Sequence, residues 1–133
     1  MPSKTTMKRA KQDLREGKRP STAADEFVRE EMEHVREGKH GARSPKQAIA
    51  IGLSKARRAG IPLAPPGKGQ AKERTRKSAE AAYEVGQKRR APRSPSARRG
   101  RAVSAALKRE RRGSASRREL SRQAKRAAAR RRR

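Results

Sequence analysis

Apolar positions recur along the first sixty residues in three short helical patterns, each followed by glycine. Over Lys4–Glu16, Met7, Ala10 and Leu14 fall at spacings of three and four, one stripe of a helix. Gly17 suits the left-handed end of that helix, and Pro20 blocks its continuation. A second helix is predicted over Thr22–Glu37, starting after Ser21 or Thr22, with Asp25 and Glu26 in a first turn where the helix dipole favours carboxylates. Its stripe is Ala24, Phe27, Val28, Met32 and Val35, and Gly38 closes it. The third, Pro45–Ala59, has the strongest start signal: Ser44 as N-cap, Pro45 at the first helical position, and Gln47 three residues after the cap, a capping box. Ile49, Leu53 and Ala56 make one face, with Ala48 and Ile51 beside it, and Gly60 and Pro62 end it. Phe27, Val28, Met32, Val35, Ile49 and Leu53 are thus a face for a core or for a partner. The echo of Leu14–Lys18 in Val35–Lys39 reads as a shared helix stop, glycine with nearby cations.

The pattern changes at Ile61–Gly69, where three prolines and two glycines make a linker. Beyond it, Ala71–Val85, Ala97–Arg112 and Arg117–Arg130 are helix-permissive, with faces that are almost all alanine. Gly86 and Gly113 are the expected stops, and Ser116 with Glu119 is a second capping box. Neighbouring arginines repel, so this region is expected to fluctuate and to gain helix on a polyanion. The expected fold is all-α: a small helical domain at 1–60, a Pro/Gly linker at 61–69, and an Ala/Arg-rich, largely disordered or fluctuating helical tail at 70–133.

Composition sharpens the picture. Leu, Ile, Val and Phe make up 13 of 133 residues, whereas Ala alone makes 23. Too little apolar area is present for a large core, set against chain entropy of ~1–2 kcal/mol per residue. A sixty-residue domain buries little surface, so dimerisation or marginal stability is expected. The absence of Cys excludes disulfides and thiol chemistry. No apolar run approaches the ~20 residues of a membrane span, and the N-terminus lacks a secretory apolar stretch, so a cytosolic protein is expected.

The formal net charge is +27. Residues 1–60 carry 15 basic and 8 acidic side chains, and residues 61–133 carry 25 and 5, of which 19 are Arg. No catalytic set accompanies this charge. His34 and His40 are six apart across a predicted helix stop, and His34 is placed on a polar flank. Glu30, Glu31, Glu33 and Glu37 read as a solvated helix face paired with Arg29 and Arg36 rather than a metal site. Gly60–Gly69 fails the spacing of a phosphate loop. No catalytic residue, metal, cofactor or small-molecule substrate is therefore expected, and the chain is read as a non-enzyme.

The positive signal is the tail. Its net +20 could match ~34 Å of duplex, roughly ten base pairs, and guanidinium groups bind phosphate through paired hydrogen bonds. The expected nucleic-acid contacts are Lys88, Arg89, Arg90 and Arg93; then Arg98, Arg99, Arg101, Arg109, Arg111 and Arg112; then Arg117, Arg118, Arg122, Lys125 and Arg126; and finally Arg130, Arg131, Arg132 and Arg133. Arg93–Arg99 contains a Ser-Pro-basic turn; Ser44-Pro45-Lys46 has the same form but reads better as a cap. Aromatic platforms are nearly absent, with only Tyr83 in the basic region, which favours duplex over single strands. The seven-residue connection Gly38–Ser44 exceeds the three to four of a helix-turn-helix, so a bare helical hairpin or trimerised core is expected in preference to that motif.

The segment Ser44–Gly60 (SPKQAIAIGLSKARRAG) resembles the signature of a family of small basic bacterial proteins, a domain of unknown function, some of whose members carry DNA-binding or plasmid-stabilisation names. Lys8–Gly17, Ser21–His40 and Thr75–Gln87 resemble its longer members, and the tail resembles linker-histone-like tails by composition. The resemblance implies a bacterial source and a helical domain, and carries over no functional residues. The leading expectation is a non-catalytic, mostly sequence-nonspecific DNA-binding protein of the nucleoid or of plasmid maintenance, without membrane insertion and with a homodimer as a further partner. The alternatives are RNA or ribosome association, and a helical protein-interaction module with a basic localisation tail.

Overall fold

Four of the six helices among the described residues start at a serine cap. In the computed structural model, which describes residues 2–94 and 96–132, Ser3 Oγ accepts the Thr6 N–H at 3.1 Å and opens α1 (Lys4–Arg15). Helix α2 (Pro20–Arg36) begins at Pro20 itself, earlier than expected; the Arg19 carbonyl accepts the N–H groups of Thr22 and Ala23. Proline is favoured at a first helical position because no N–H is needed there. Asp25 and Glu26 therefore fall beyond the first turn rather than in it. Helix α3 (Pro45–Arg58) starts as expected: Ser44 Oγ accepts the Gln47 N–H at 3.3 Å, but Gln47 Oε1 reaches back to the Arg43 N–H, one residue before the cap.

The tail is not disordered. It forms α4 (Glu73–Gly86), α5 (Ala97–Arg109), a 3-10 turn at Gly113–Ala115, and α6 (Arg117–Arg131). Ser96 and Ser116 cap α5 and α6 by accepting the Arg99 and Glu119 N–H groups, each at 3.2 Å. Helix α5 stops at Arg109, not Arg112, and Gly113 opens the 3-10 turn instead of ending a helix. At the start of α4, the Arg76 guanidinium pairs with Glu73 and holds that carboxyl below its usual range. Among the described residues the fold is all-α, with one isolated bridge between Lys68 and Ala71 and no strand.

Two compact units divide the chain: residues 2–30 with 51–93, and residues 31–50 with 94–132. Each draws on both sides of the Pro/Gly segment, so packing crosses the boundary at 61–69 that composition suggested. In the first unit, Phe27 is fully buried among Ala10, Ala23, Ala24, Ala56 and Ile61, with Met7, Leu14, Leu53, Ala59 and Leu63 around them. Burying the phenyl ring stabilises this unit by roughly 1.5–3 kcal/mol. Ile61 and Leu63 belong to the expected linker, which is non-helical yet packed. The Arg57 guanidinium fastens it by donating to the carbonyls of Leu63 (3.1 Å) and Ala64 (3.2 Å), and burial lowers the pKa of this arginine.

Helix α4 adds to the same unit through small residues. Ala79 and Ala82 are buried, and a Cβ at Gly86 would lie 1.7 Å from the Arg57 carbonyl oxygen. Gly86 thus serves close approach, while the left-handed exit of α4 falls to Lys88, with φ 59°. The Lys88 and Arg89 N–H groups cap the Val85 and Glu84 carbonyls at 3.1 and 2.8 Å, a Schellman-type ending.

In the second unit, Met32, Val35, Ala42, Ala48 and Ala115 are buried, together with Glu31 and Ser114. Its turn after α2 is tied by backbone bonds: the Gly41 N–H donates to Leu107 O at 2.8 Å and the Ala42 N–H to Arg111 O at 3.0 Å. Arg36 Nε donates to Ala115 O at 3.0 Å, and Arg112 Nη2 donates to Arg36 O at 2.6 Å. Phe27, Met32 and Val35 are therefore core residues, and Val28, Ile49 and Leu53 are half-buried.

Candidate nucleic-acid interface and the Glu31–His34–His40 cluster

The tail cations expected to meet phosphate, from Lys88 to Arg132, are all exposed among the described residues. Arg133, and Pro95 of the Ser-Pro-basic turn, lie outside the described residues. In the first unit, Arg90 pairs with Glu84 at 2.8 Å, and the Arg89 guanidinium stands 6.0 Å from the centroid of the Tyr83 ring. Arg58, Arg90 and Arg93 border a small cleft of about 150 Å³ floored by Ala81, Ala82 and Val85.

In the second unit the cations sort by engagement. Arg112 donates one guanidinium nitrogen to the Arg36 carbonyl, so it also ties the fold. Glu119 draws Arg122 to 3.5 Å and Arg111 to 3.9 Å. Helix α6 carries seven cations over Arg117–Arg131. Arg122, Arg126 and Arg130 follow one i, i+4 row, with a rise of about 6 Å per step. Arg126 and Arg130, with Gln123 and Ala129, line a cleft of about 430 Å³ completed by Lys46 from the first turn of α3. By sequence, Lys46 is only part of a capping segment. Its Ser-Pro-basic form is the available signal, and the pairing with α6 depends on the fold.

The acidic face of α2 departs from the solvated reading. Glu33 and Glu37 are exposed, but Glu30 is nearly buried and Glu31 wholly so. Ser3 N–H donates to Glu30 Oε1 at 2.8 Å in the first unit. In the second, Glu31 meets both histidines of the chain. His40 Nε2 lies 3.1 Å from Glu31 Oε2, and His34 Nδ1 lies 3.7 Å from Glu31 Oε1. The two rings meet edge to face with centroids 6.1 Å apart, and His40 Nδ1 lies 2.8 Å from its neighbour Gly41 O. His34 is thus partly enclosed, on a polar flank shared with Glu31 and His40. One ligand-type atom from each of the three residues lies within 4.8 Å of the others. The turn Gly38–Ser44, a spacer by its sequence, folds His40 back onto α2.

Residues 17–68 match the model of a family of unknown function (DUF6496). The DUF6496 match spans less than half of the chain and takes in α2, α3, the Ser44–Gly60 box and the Glu31–His34–His40 cluster. Helices α4 to α6 lie outside it. No curated protein and no solved structure matches the chain. Among the described residues, no helix is long and apolar enough to cross a membrane.

Proposed function

We propose that this chain is a non-catalytic protein that binds duplex nucleic acid, chiefly DNA, by neutralising phosphates with little regard to sequence, in association with the nucleoid or plasmid DNA of a bacterium. The observation that carries the reading is the exposed charge ladder of α6. Seven cations lie on a helix about 22 Å long, and Arg122, Arg126 and Arg130 line one side of it at about 6 Å steps, close to two phosphate spacings of one DNA strand. Arginines dominate the ladder, and their planar donors pair with phosphate oxygens two at a time. The cleft of Lys46, Arg126 and Arg130 offers a further concave place for phosphate.

Single strands are less well served, because Tyr83, the one aromatic of the basic region, already lies beside Arg89. A protein-interaction module draws less support, since Phe27, Met32 and Val35 are buried in the chain itself. Structured RNA is the second reading, as arginine-rich helices suit it equally.

The test is fluorescence anisotropy of a labelled duplex across a salt series. About ten phosphate contacts predict a log–log slope near −9, and Arg126→Glu with Arg130→Glu should flatten it by about 2. Binding that ignores salt, or no binding to duplex DNA or structured RNA, removes the reading. Competition won by structured RNA moves it to the second.

A further inference from the structure

We propose that Glu31, His34 and His40 form a binding site for a divalent transition-metal ion of the zinc class. Two imidazole nitrogens and one carboxylate are a known zinc ligand set that leaves a fourth position for solvent. Glu31 and His34 stand at i and i+3 on α2, a spacing that brings a carboxylate and an imidazole to one helix face and supplies metals in helical bundles. His40 arrives from the turn that follows.

The hydrogen bonding around His40 is the second observation. Gly41 O can only accept, so at 2.8 Å it requires the ring proton on Nδ1. Nε2 then turns a lone pair toward Glu31 Oε2 at 3.1 Å, acceptor against acceptor. A cation between them resolves that opposition. A backbone carbonyl fixing one ring nitrogen so that the other can coordinate is the usual outer support of a metal-bound histidine. Ligands about 2.0–2.1 Å from a tetrahedral zinc lie about 3.3 Å from one another. His40 Nε2 is 3.1 Å from Glu31 Oε2 and His34 Nδ1 is 3.7 Å from Glu31 Oε1, and one ligand atom from each residue lies within 4.8 Å of the others, so the three would draw together by about an ångström around an ion. A second proton on His40 would also satisfy Glu31. The convergence of His34 Nδ1 on the same carboxylate brings a third ligand-type atom within 4.8 Å of the other two, close enough for one ion to be shared by all three residues.

Such an ion would clasp the end of α2 to the turn that holds Leu107 and Arg111 by backbone bonds, and would stabilise the second unit. Its binding is separable from the phosphate contacts, because no ligand is a tail cation.

The experiment titrates zinc chloride into the full-length, tag-free chain after dialysis against chelator, followed by calorimetry. The chain has two histidines and no cysteine, so imidazole-dependent uptake reports this cluster alone. One ion per chain is expected, with affinity reduced at least ~100-fold in His34→Gln and in His40→Gln, both checked for helicity by circular dichroism. Cobalt(II) on the wild-type chain gives a readout that does not depend on a variant folding: intense four- or five-coordinate visible bands support the site. A spectrum unchanged from aqueous cobalt, no zinc uptake by the folded chain, or uptake retained by the double His→Gln variant overturns it.

Discussion

Gly86 sits where a methyl group would press into the Arg57 carbonyl, so alanine there must push α4 off the Arg57–Gly60 backbone. Gly86→Ala is expected to destabilise the chain by about 1–3 kcal/mol in urea unfolding. Gly100, within α5 and with open space where a methyl group would stand, is the control: Gly100→Ala should stabilise by about 0.5–1 kcal/mol. In the sequence both glycines look alike, and Gly86 reads as a helix stop. The same limit hid Glu31 and His40. Their pairing is set by a turn that brings together residues nine apart, whereas pattern reading sees only the charge of the helix face. Phe27 and Val35 were legible as an inward face because burial follows helical spacing directly.

Serine-capped helix starts were legible, because a serine cap acts within three residues. Ser44 and Ser116 make the expected bonds. Ser116→Ala should cost α6 about 1 kcal/mol and appear as lost helicity in circular dichroism, with Glu119 still in place. The end of α5 was less legible. Gly113 promised a stop four residues past the true end of α5, because the carbonyls of Leu107 and Arg111 are taken by the Gly41 and Ala42 N–H groups. Those acceptors are satisfied by a turn sixty-odd residues earlier, which no local rule supplies. The start of α2 at Pro20 is within reach of local rules once proline counts as an opening as well as a barrier.

Across the whole molecule, composition overstated disorder. Counting bulky residues ignores contacts made by alanine and glycine, which let backbones approach, and counting arginines as mutually repelling ignores those that bind carbonyls. Arg36, Arg57 and Arg112 all do so. The net +27 still acts on the fold. Added salt shortens the ~10 Å Debye length found at 0.1 M and relieves self-repulsion, so the melting temperature should rise with salt while DNA affinity falls. Parallel melting and anisotropy series check these opposed signs, and a melting temperature that falls with salt would contradict the charge-strained fold. The charge asymmetry itself was legible; how the segments would pack was not, because it depends on pairing distant stretches. That pairing sets an order on synthesis. Residues 2–30 await 51–93, and residues 31–50 await 94–132, so a growing chain can close neither unit until residue 93 has been made. A ribosome paused anywhere before that point holds a polypeptide with capped helices and unfinished cores, the state in which chaperones and proteases compete for it.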